Sequence, residues 1–474
     1  MSGNPVRFGT DGWRALIADT FTFENVRACA RAAGEHFRET QGTEKQLVVG
    51  WDTRFLSEAF AEQAAAQLAS LGFEVMLADR AAPTPAISSY LVQVGAAGGI
   101  VITSSHNPYN WNGVKVKPYY GGSASPEVVA DIERRVPAIL EAGTEHDGRP
   151  TVARFNPIPP YLETISGKVE LERIRSAGLR VAFDPMYGTG AGLLNELLAG
   201  GATTVTEIHS EANPRFPGIR APEPINENLG ALKELVGGGE FAVGLATDGD
   251  SDRLGMVDER GEYVDQLRTF ALLVHHFLAT KGERGTVVRS LTTTSMADRL
   301  GEHFGVEVVE TPVGFKYIAP LMMERDALIG GEESGGYGFR GHLPERDGLL
   351  AGLYLLEAMA LTGKTPSGLL DAVFGITGPH YYRREDFTID EAQRGAIVAA
   401  LDTAEPSTIA GQAVVGKDQK DGWRFKVDQG WLLFRLSGTE PLLRIYTEVR
   451  DEALVRPIID EGRRLAGVGL DATT

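Results

Sequence analysis

The chain has 474 residues, of which 43% are hydrophobic, 23% charged and 8% aromatic. This composition is typical of globular proteins and excludes a disordered chain. The length predicts several domains, since one domain usually spans about 100–200 residues. The net charge of −18 disfavours nucleic acid and anionic membranes as partners, so an anionic substrate would need a local cluster of Arg and Lys.

Three features of the sequence bear on where the protein is located in the cell. The first residues, MSGNPVRFGTDGW, contain no apolar run of the kind found in secretory signal peptides. The longest apolar run, LLAGLYLL at 349–356, is far shorter than the ~20 residues that a membrane-spanning helix needs. Cys29 is the single cysteine, so an internal disulfide is impossible. We therefore expect a cytoplasmic protein with no membrane partner.

A pattern of strand, loop, helix and strand occurs three times, at 47–79, 179–209 and 285–312. Short β-branched runs bounded by Gly are typical of buried parallel strands in βαβ units. Residues 431–449 instead predict a strand, a turn and a strand, followed by a helix. The predicted fold is therefore α/β, with three similar α/β domains at 1–154, 155–259 and 260–376 and a smaller C-terminal α+β domain at 377–474.

The stretch TSSHNP (103–108) follows AAGGIVI, which predicts a buried strand. Ser104, Ser105 and His106 would then lie just beyond the carboxyl end of that strand. A serine hydroxyl can act as a nucleophile when a base or a metal activates it. A Ser/Thr cluster closed by Asn-Pro is also an ordinary turn, so this motif alone is compatible with both interpretations.

The stretch ATDGDSDRLG (246–255) places Asp248, Asp250 and Asp252 just after another predicted strand. Carboxylates this close repel each other unless a cation lies between them, and hard oxygen ligands suit Mg²⁺ or Ca²⁺. An EF-hand is disfavoured because Arg253 stands where its loop requires Gly, whereas a solvated acidic turn remains an alternative. If the two strand ends meet, a serine oxygen of TSSHNP could be a fourth ligand, and phosphoryl transfer would then fit.

Two further loops contain groups that suit a phosphorylated sugar. LIGGEESGGYGF (328–339) offers acids and a hydroxyl for sugar hydroxyl groups, although a second metal site or a solvent loop is equally compatible. RLSGTEPLLR (435–444) offers two arginines around a Gly turn, which would form either an anion cradle or a plain hairpin.

Taken together, FGTDGWR (8–14), TSSHNP, DGDSDR, GEESGG and RLSGTEP resemble, in order, the motifs of the α-D-phosphohexomutase family. The resemblance spans the whole chain and implies four domains around a central active-site cleft. It also implies an intramolecular phosphotransferase that interconverts hexose 1-phosphate and hexose 6-phosphate. A phosphoserine and a hexose 1,6-bisphosphate, which is both intermediate and activator, would take part in that reaction.

The resemblance also implies a role for each matching residue. Ser105 would carry the phosphoryl group, and the phosphoserine would bind one Mg²⁺ per chain together with Asp248, Asp250 and Asp252. Lys115 would act as general acid and base, and Arg14, Arg253 and the metal would lower its pKa. His106, in the same loop as Ser105, would also belong to the catalytic residues. The residues implied to bind substrate are Glu332, Ser334 and Lys316 at the sugar, and Arg435, Ser437, Gly438 and Thr439 at the non-reacting phosphate, with Arg444 on the returning strand.

Substrate preference is indicated by residues that differ among relatives. Gly336 stands where many phosphomannomutases have His, and Glu333 stands where phosphoglucosamine mutases usually have Gln. These residues, with Trp13, favour glucose phosphates, while mannose and glucosamine phosphates remain alternatives. A carboxylate that binds O3 and O4 of the sugar would not distinguish the configuration at C2, so overlap between these substrates is physically reasonable.

Two alternatives of other classes are an inactive homologue that serves as a scaffold and a phosphatase. The complete set of serine, aspartates and lysine argues against the scaffold, and a binding site for a second phosphate argues against the phosphatase. The sequence leaves open whether the protein is a monomer or a dimer.

Overall fold

The computed structural model describes residues 4–9, 11–144, 152–437 and 441–469, and within these ranges the strands form four sheets. The predicted fold class is confirmed, because three α/β domains with mixed sheets precede a C-terminal domain built on an antiparallel sheet. No helix among the described residues combines the length and the apolar character needed to cross a membrane.

The first sheet has the strand order β1-β5-β4-β2-β3-β6. Its strands are β1 (Trp13–Leu16), β2 (Leu47–Trp51), β3 (Val75–Ala78), β4 (Gly98–Ile102), β5 (Trp111–Pro118) and β6 (Ala153–Phe155). Its helices are α1 (Phe23–Gln41), α2 (Ser57–Ala69), α3 (Thr84–Gln93) and α4 (Pro126–Ala142). β2, β3, β4 and β6 are mutually parallel, whereas β5 runs antiparallel to β4 and to β1.

The second sheet has the order β11-β10-β9-β7-β8. Its strands are β7 (Arg180–Asp184), β8 (Thr204–Glu207), β9 (Val243–Thr247), β10 (Leu254–Val257) and β11 (Tyr263–Val264). The helices of this part of the chain are α5 (Ile158–Ser166), α6 (Leu171–Ser176), α7 (Leu193–Leu198) and α8 (Gly230–Gly237).

The third sheet has the order β13-β12-β14-β15. Its strands are β12 (Val287–Ser290), β13 (Val308–Thr311), β14 (Ile329–Gly331) and β15 (Tyr337–Phe339). Its helices are α9 (Gln266–His275), which continues as a π-helical turn at His276–Thr280, α10 (Met296–Phe304), α11 (Phe315–Glu324), α12 (Gly348–Thr362) and α13 (Pro366–Thr377).

The C-terminal sheet is antiparallel, with the order β16-β21-β20-β19-β18-β17. Its strands are β16 (Tyr381–Thr388), β17 (Thr408–Ile409), β18 (Gln412–Asp418), β19 (Trp423–Val427), β20 (Gly430–Leu436) and β21 (Leu442–Val449). Its helices are α14 (Glu391–Thr403) and α15 (Val455–Leu465).

The repeats predicted from the sequence are confirmed as the parallel pairs β2–β3, β7–β8 and β12–β13, each joined by a helix. The domain limits at 154, 259 and 376 stay a proposal. β6 ends at Phe155 and β11 ends at Val264, so two of the sheets extend slightly beyond those limits.

Apolar packing fixes the first three domains against one another. One cluster of buried side chains extends through all three, with Ile87 from the first domain, Phe183 from the second, and Phe270 and Leu353 from the third. Burial of such side chains is the main force that stabilises a domain interface. The ends of β4 and β9 therefore come to face each other across an interface of fixed geometry.

One ion pair between the first and third domains is completely buried. Lys117 Nζ, on β5, contacts Glu345 Oε2 in the loop before α12, and both side chains have 0% exposure. A charge left alone in such a place is costly, because water can no longer solvate it.

We expect Glu345→Gln to lower the midpoint of thermal unfolding, because it leaves the Lys117 ammonium buried without a counter-charge, at a cost of about 3–5 kcal/mol. Calorimetry would measure the midpoint, with the exposed Glu302→Gln on α10 as the control. The double change Lys117→Met with Glu345→Leu should recover part of the loss, since Glu345 Oε1 also contacts Arg346 Nε at 3.3 Å and that contact is not restored. A Glu345→Gln protein as stable as the wild type would contradict this prediction.

Candidate active site

Ser105 lies in the turn that follows β4, at the carboxyl end of the first sheet. Its backbone is left-handed, with φ of 49°, which non-glycine residues seldom adopt. Its amide donates to Thr103 Oγ1 at 2.8 Å, and its hydroxyl donates to Asp248 Oδ2 at 2.6 Å. The turn thus directs Ser105 Oγ out of the first domain toward a carboxylate of the second.

The loop between β9 and β10 holds the three predicted metal ligands. Asp248, Asp250 and Asp252 are all buried, and one oxygen atom from each lies within 4.8 Å of the other two. Gly249 allows this loop to pack directly on the serine turn, because a Cβ atom there would lie only 2.7 Å from the Ser105 carbonyl oxygen. The two strand ends therefore meet, as the sequence predicted.

The three carboxylates have the character of a cation site. Burial, together with the charges of Asp252 and Asp250, raises the pKa of Asp248 well above its usual value. Asp250 Oδ1 and Asp252 Oδ1 are buried without a hydrogen-bond partner among the described residues. Three hard oxygen donors in one place, two of them also offering a free oxygen, fit Mg²⁺ or Ca²⁺.

Lys115, on β5, extends its ammonium group into this acidic cluster. Lys115 Nζ lies 2.8 Å from Asp250 Oδ2, 2.6 Å from Asp252 Oδ2 and 3.0 Å from Asp11 Oδ2. Burial alone would lower the pKa of Lys115, but attraction to the three carboxylates outweighs burial and raises it. The lowering predicted from the sequence included the charge of a bound metal and stays a prediction for the metal-bound site, since the carboxylates alone raise the pKa of Lys115.

Arg14, His106 and Arg253 surround the serine. Arg14 Nη1 donates to Asn107 Oδ1 at 2.9 Å and lies 3.5 Å from His106 Nδ1, which in turn lies 3.3 Å from Ser105 Oγ. Burial, with the charges of Arg253 and Arg14, lowers the pKa of His106 well below its usual value. The imidazole is therefore neutral at pH 7, while the two arginines supply positive charge.

The predicted sugar loop reaches the same centre through Arg346. Glu332, just after β14, has Oε2 3.5 Å from Arg346 Nη1, and Arg346 Nη2 lies 2.8 Å from Asp252 Oδ2. Burial raises the pKa of Glu332 to about 7. Ser334, two residues later, and Lys316, at the start of α11, are both half-buried.

The predicted phosphate clamp lies in the C-terminal domain. Arg435 on β20 and Arg444 on β21 are direct partners in the sheet register, so their side chains lie close together. Arg435 Nη2 pairs with Asp421 Oδ2 at 3.0 Å, and Ser437 follows β20 directly. Gly438 and Thr439 lie outside the described residues.

Glu333 joins the sugar loop to the C-terminal domain. Its Oε1 accepts a hydrogen bond from the Tyr382 hydroxyl at 2.8 Å and lies 3.5 Å from Arg384 Nη1. Arg384 also packs over the ring of Tyr446, which lies on β21 two residues beyond Arg444. The structure therefore gathers the predicted residues into two groups, one around Ser105 and one on the C-terminal sheet, with the sugar loop between them.

Three charged residues that the sequence analysis missed complete the group around Ser105. Asp11 binds Lys115, and Arg346 contacts carboxylates of all three α/β domains, namely those of Asp11, Asp252 and Glu332. Arg54 donates to backbone carbonyl oxygens of the serine turn. One signal was available for Arg54, since it follows β2, which pairs in parallel with β4, and the carboxyl ends of parallel neighbours share one edge of the sheet.

This geometry agrees with comparisons to known proteins. Models of the phosphoglucomutase/phosphomannomutase alpha/beta/alpha domains I, II and III match residues 5–142, 159–261 and 265–375, and the model of the C-terminal domain matches residues 396–465.

Similar proteins extend over almost the whole chain. A phosphoglucomutase/phosphomannomutase of Thermococcus kodakarensis is 33% identical over 97% of this chain and 98% of its own. A phosphoglucosamine mutase of Levilactobacillus brevis is 30% identical over 97% of this chain and 99% of its own. A crystal structure from Thermus thermophilus, provisionally assigned as a phosphomannomutase, is 37% identical, with a TM-score of 0.87 over 98% of this chain and 99% of that one.

The four domain matches lie in the same order as the motifs noted in the sequence, so the resemblance inferred from those motifs is confirmed. The chain belongs to the phosphoglucomutase/phosphomannomutase family and is an α-D-phosphohexomutase.

Proposed function

We propose that this phosphohexomutase acts on glucose phosphates and interconverts glucose 1-phosphate and glucose 6-phosphate through a phosphoserine at Ser105 and glucose 1,6-bisphosphate. The observation that carries the proposal is the 2.6 Å contact between Ser105 Oγ and Asp248 Oδ2. This contact supports a nucleophilic role for Ser105, because metal-assisted phosphoryl transfer requires the nucleophile to lie beside the groups that hold the cation.

In the proposed site, Asp248, Asp250, Asp252 and the phosphorylated Ser105 hold one Mg²⁺ per chain. The ion, when bound, polarises the phosphoryl group and offsets its charge. Arg14 and Arg253, at the same centre, add fixed positive charge that stabilises the phosphoryl oxygens during transfer.

Each half-reaction is a displacement at phosphorus. In the first, the bond from phosphorus to Ser105 Oγ breaks while a bond forms to the free hydroxyl oxygen of the sugar phosphate, and the proton of that hydroxyl ends on Ser105 Oγ. The resulting bisphosphate turns end over end. In the second half-reaction Ser105 Oγ attacks the other phosphorus, the bond from that phosphorus to the sugar oxygen breaks, and the Ser105 proton ends on the sugar oxygen. Lys115 is an ammonium held by carboxylates here, and its raised pKa makes it a poor proton donor. It would exchange a proton with the substrate only when another charge neutralises those carboxylates and lowers that pKa.

The proposed substrate contacts keep the sugar phosphate in place in both orientations. Glu332, Ser334 and Lys316 bind the sugar side. The residues proposed for the non-reacting phosphate are Arg435, Ser437, Gly438, Thr439 and Arg444. Because the two ends of the bisphosphate exchange places, each phosphate meets positive charge before and after the turn.

Support for glucose phosphates comes from the space around Gly336. A Cβ atom at this position would lie 2.2 Å from Cδ of Arg346, whose guanidinium is bound to carboxylates on several sides. The His that many phosphomannomutases have at this place would displace Arg346. Relatives named phosphoglucosamine mutase and phosphoglucomutase/phosphomannomutase make glucosamine and mannose phosphates the alternatives.

Comparing glucose, mannose and glucosamine 1-phosphates under one set of conditions tests the preference. We expect kcat/KM to be highest for glucose 1-phosphate, with the 6-phosphate as product and only traces of inorganic phosphate. A higher value for glucosamine or mannose 1-phosphate would refute the glucose preference. Release of one inorganic phosphate per turnover would indicate a phosphatase, and the absence of any product would indicate a scaffold.

Ser105→Ala should lower kcat by about 10⁴-fold or more and abolish the phosphoprotein seen by intact-mass spectrometry, because the nucleophilic oxygen is gone. The thermal midpoint should stay near that of the wild type, since the small side chain fits the same turn. Ser104→Ala is the matched control, because Ser104 Oγ points to Asn107 Oδ1 at 3.1 Å and should not carry phosphate. Substantial turnover by Ser105→Ala would place the nucleophile elsewhere.

The KM for glucose 1-phosphate should fall as the pH rises through about 7, where the buried Glu332 carboxyl titrates. Its raised pKa means that the carboxyl is protonated below this pH, and only the carboxylate accepts strong hydrogen bonds from sugar hydroxyl groups. Since the substrate phosphate also titrates, with a pKa of about 6, Glu332→Gln serves as the control. If the pH profile of Glu332→Gln has the same shape as that of the wild type, Glu332 is not the titrating group.

A further inference from the structure

The side chain of Arg54 donates hydrogen bonds to several backbone carbonyl oxygens in and after the serine turn. Arg54 Nη2 donates to the carbonyl oxygens of Ser105 and Asn107 at 2.6 Å each, and Nη1 donates to those of Pro108 at 2.9 Å and Trp111 at 3.2 Å. One guanidinium thus fixes four carbonyl groups of the segment that runs from the nucleophile to the start of β5. Hydrogen bonds from a charged donor are about twice as strong as neutral ones.

The guanidinium is itself held firmly. Arg54 Nε lies 3.3 Å from Asp52 Oδ2, and Asp52 Oδ1 accepts hydrogen bonds from the Ser57 hydroxyl at 2.7 Å and from the Arg54 amide at 3.0 Å. The ring of Phe216, from the second domain, lies 5.1 Å from the guanidinium carbon, a cation–π distance. Burial lowers the pKa of Arg54 to about 10, so the group is fully charged at neutral pH.

Ser105 needs such support because its backbone is left-handed. A side chain raises the energy of this conformation, which persists only where the surroundings enforce it. The Ser105 carbonyl is held from two sides, by Arg54 Nη2 and by the close packing of Gly249. Rotation of this peptide would turn Oγ away from Asp248, with which it now makes its 2.6 Å contact.

We propose that Arg54 is a positioning residue that holds the serine turn in the one backbone conformation that directs Ser105 Oγ toward Asp248. The proposal rests on the proposed function of Ser105. The contacts of Arg54 with the segment that follows Ser105 are all to backbone carbonyls, and Arg54 acts through them. Glu332 and Arg435, two of the proposed substrate contacts, belong to other domains. Loss of Arg54 should therefore impair phosphoryl transfer far more than substrate binding.

The test compares Arg54→Met, which keeps an apolar stem without donors, and Arg54→Lys, which keeps the charge but cannot reach four carbonyls. Arg80→Met, at an exposed arginine of the same domain, is the matched control. For each protein we would measure kcat and KM with glucose 1-phosphate, the rate at which glucose 1,6-bisphosphate phosphorylates the enzyme by intact-mass spectrometry, and the thermal midpoint.

For Arg54→Met we expect kcat and the phosphorylation rate to fall by about 100-fold, the usual consequence of a small displacement of a reacting atom, with KM nearly unchanged. Arg54→Lys should give intermediate values, and Arg80→Met should equal the wild type. If Arg54→Met does not fold, Arg54→Lys decides the question by the same split between kcat and KM.

Folded Arg54 variants that are phosphorylated as fast as the wild type would overturn the positioning role and leave the proposed function intact. Variants that lose thermal stability while keeping kcat would also overturn it, since Arg54 would then be a structural residue alone. A wild-type protein that never gains a phosphoryl group from the bisphosphate would overturn the proposed function and this role with it.

Discussion

The three buried carboxylates that follow β9, those of Asp248, Asp250 and Asp252, determine which charged side chains must lie around them. Like charges at this distance are tolerated in a protein interior only when positive charge lies beside them. The chain supplies it from three domains, as Lys115 from the first, Arg253 from the second and Arg346 from the third. A protein with a net charge of −18 thereby concentrates its cations at the point where an anionic substrate would bind.

This need for positive charge from several domains accounts for the apolar packing that holds the first three domains together. The second domain contains the acidic cluster but only one of these three cations, so the full set of offsetting charges is assembled only when the interface is closed. The buried pair of Lys117 and Glu345 and the packing of Gly249 on Ser105 belong to this interface. The C-terminal domain is joined partly through ion pairs, for example that of the buried Arg424 with Glu310 at 2.6 and 2.7 Å.

Backbone strain is concentrated in the loops that surround the acidic cluster. Ser105, Ser251, Met186 and Tyr187 all have left-handed backbones, with φ values from 49° to 59°. Such residues persist only where neighbouring contacts enforce their conformation, and Thr189, whose hydroxyl lies 3.0 Å from that of Ser251, provides one such contact. The loops support one another, so the geometry of the site depends on their being packed together.

The sequence by itself determined the repeated βαβ units and the antiparallel C-terminal strands, because strand patterns and turn residues are local properties. It predicted Ser105 and the three aspartates as site residues through the resemblance of its motifs to those of a family. Only the tertiary structure decided that Lys115 is held as an ammonium and that Arg54 and Arg346 belong to the site. Lys115 and Asp250 are 135 positions apart in the chain, and the energy of a charge depends on distances between groups that folding alone brings together.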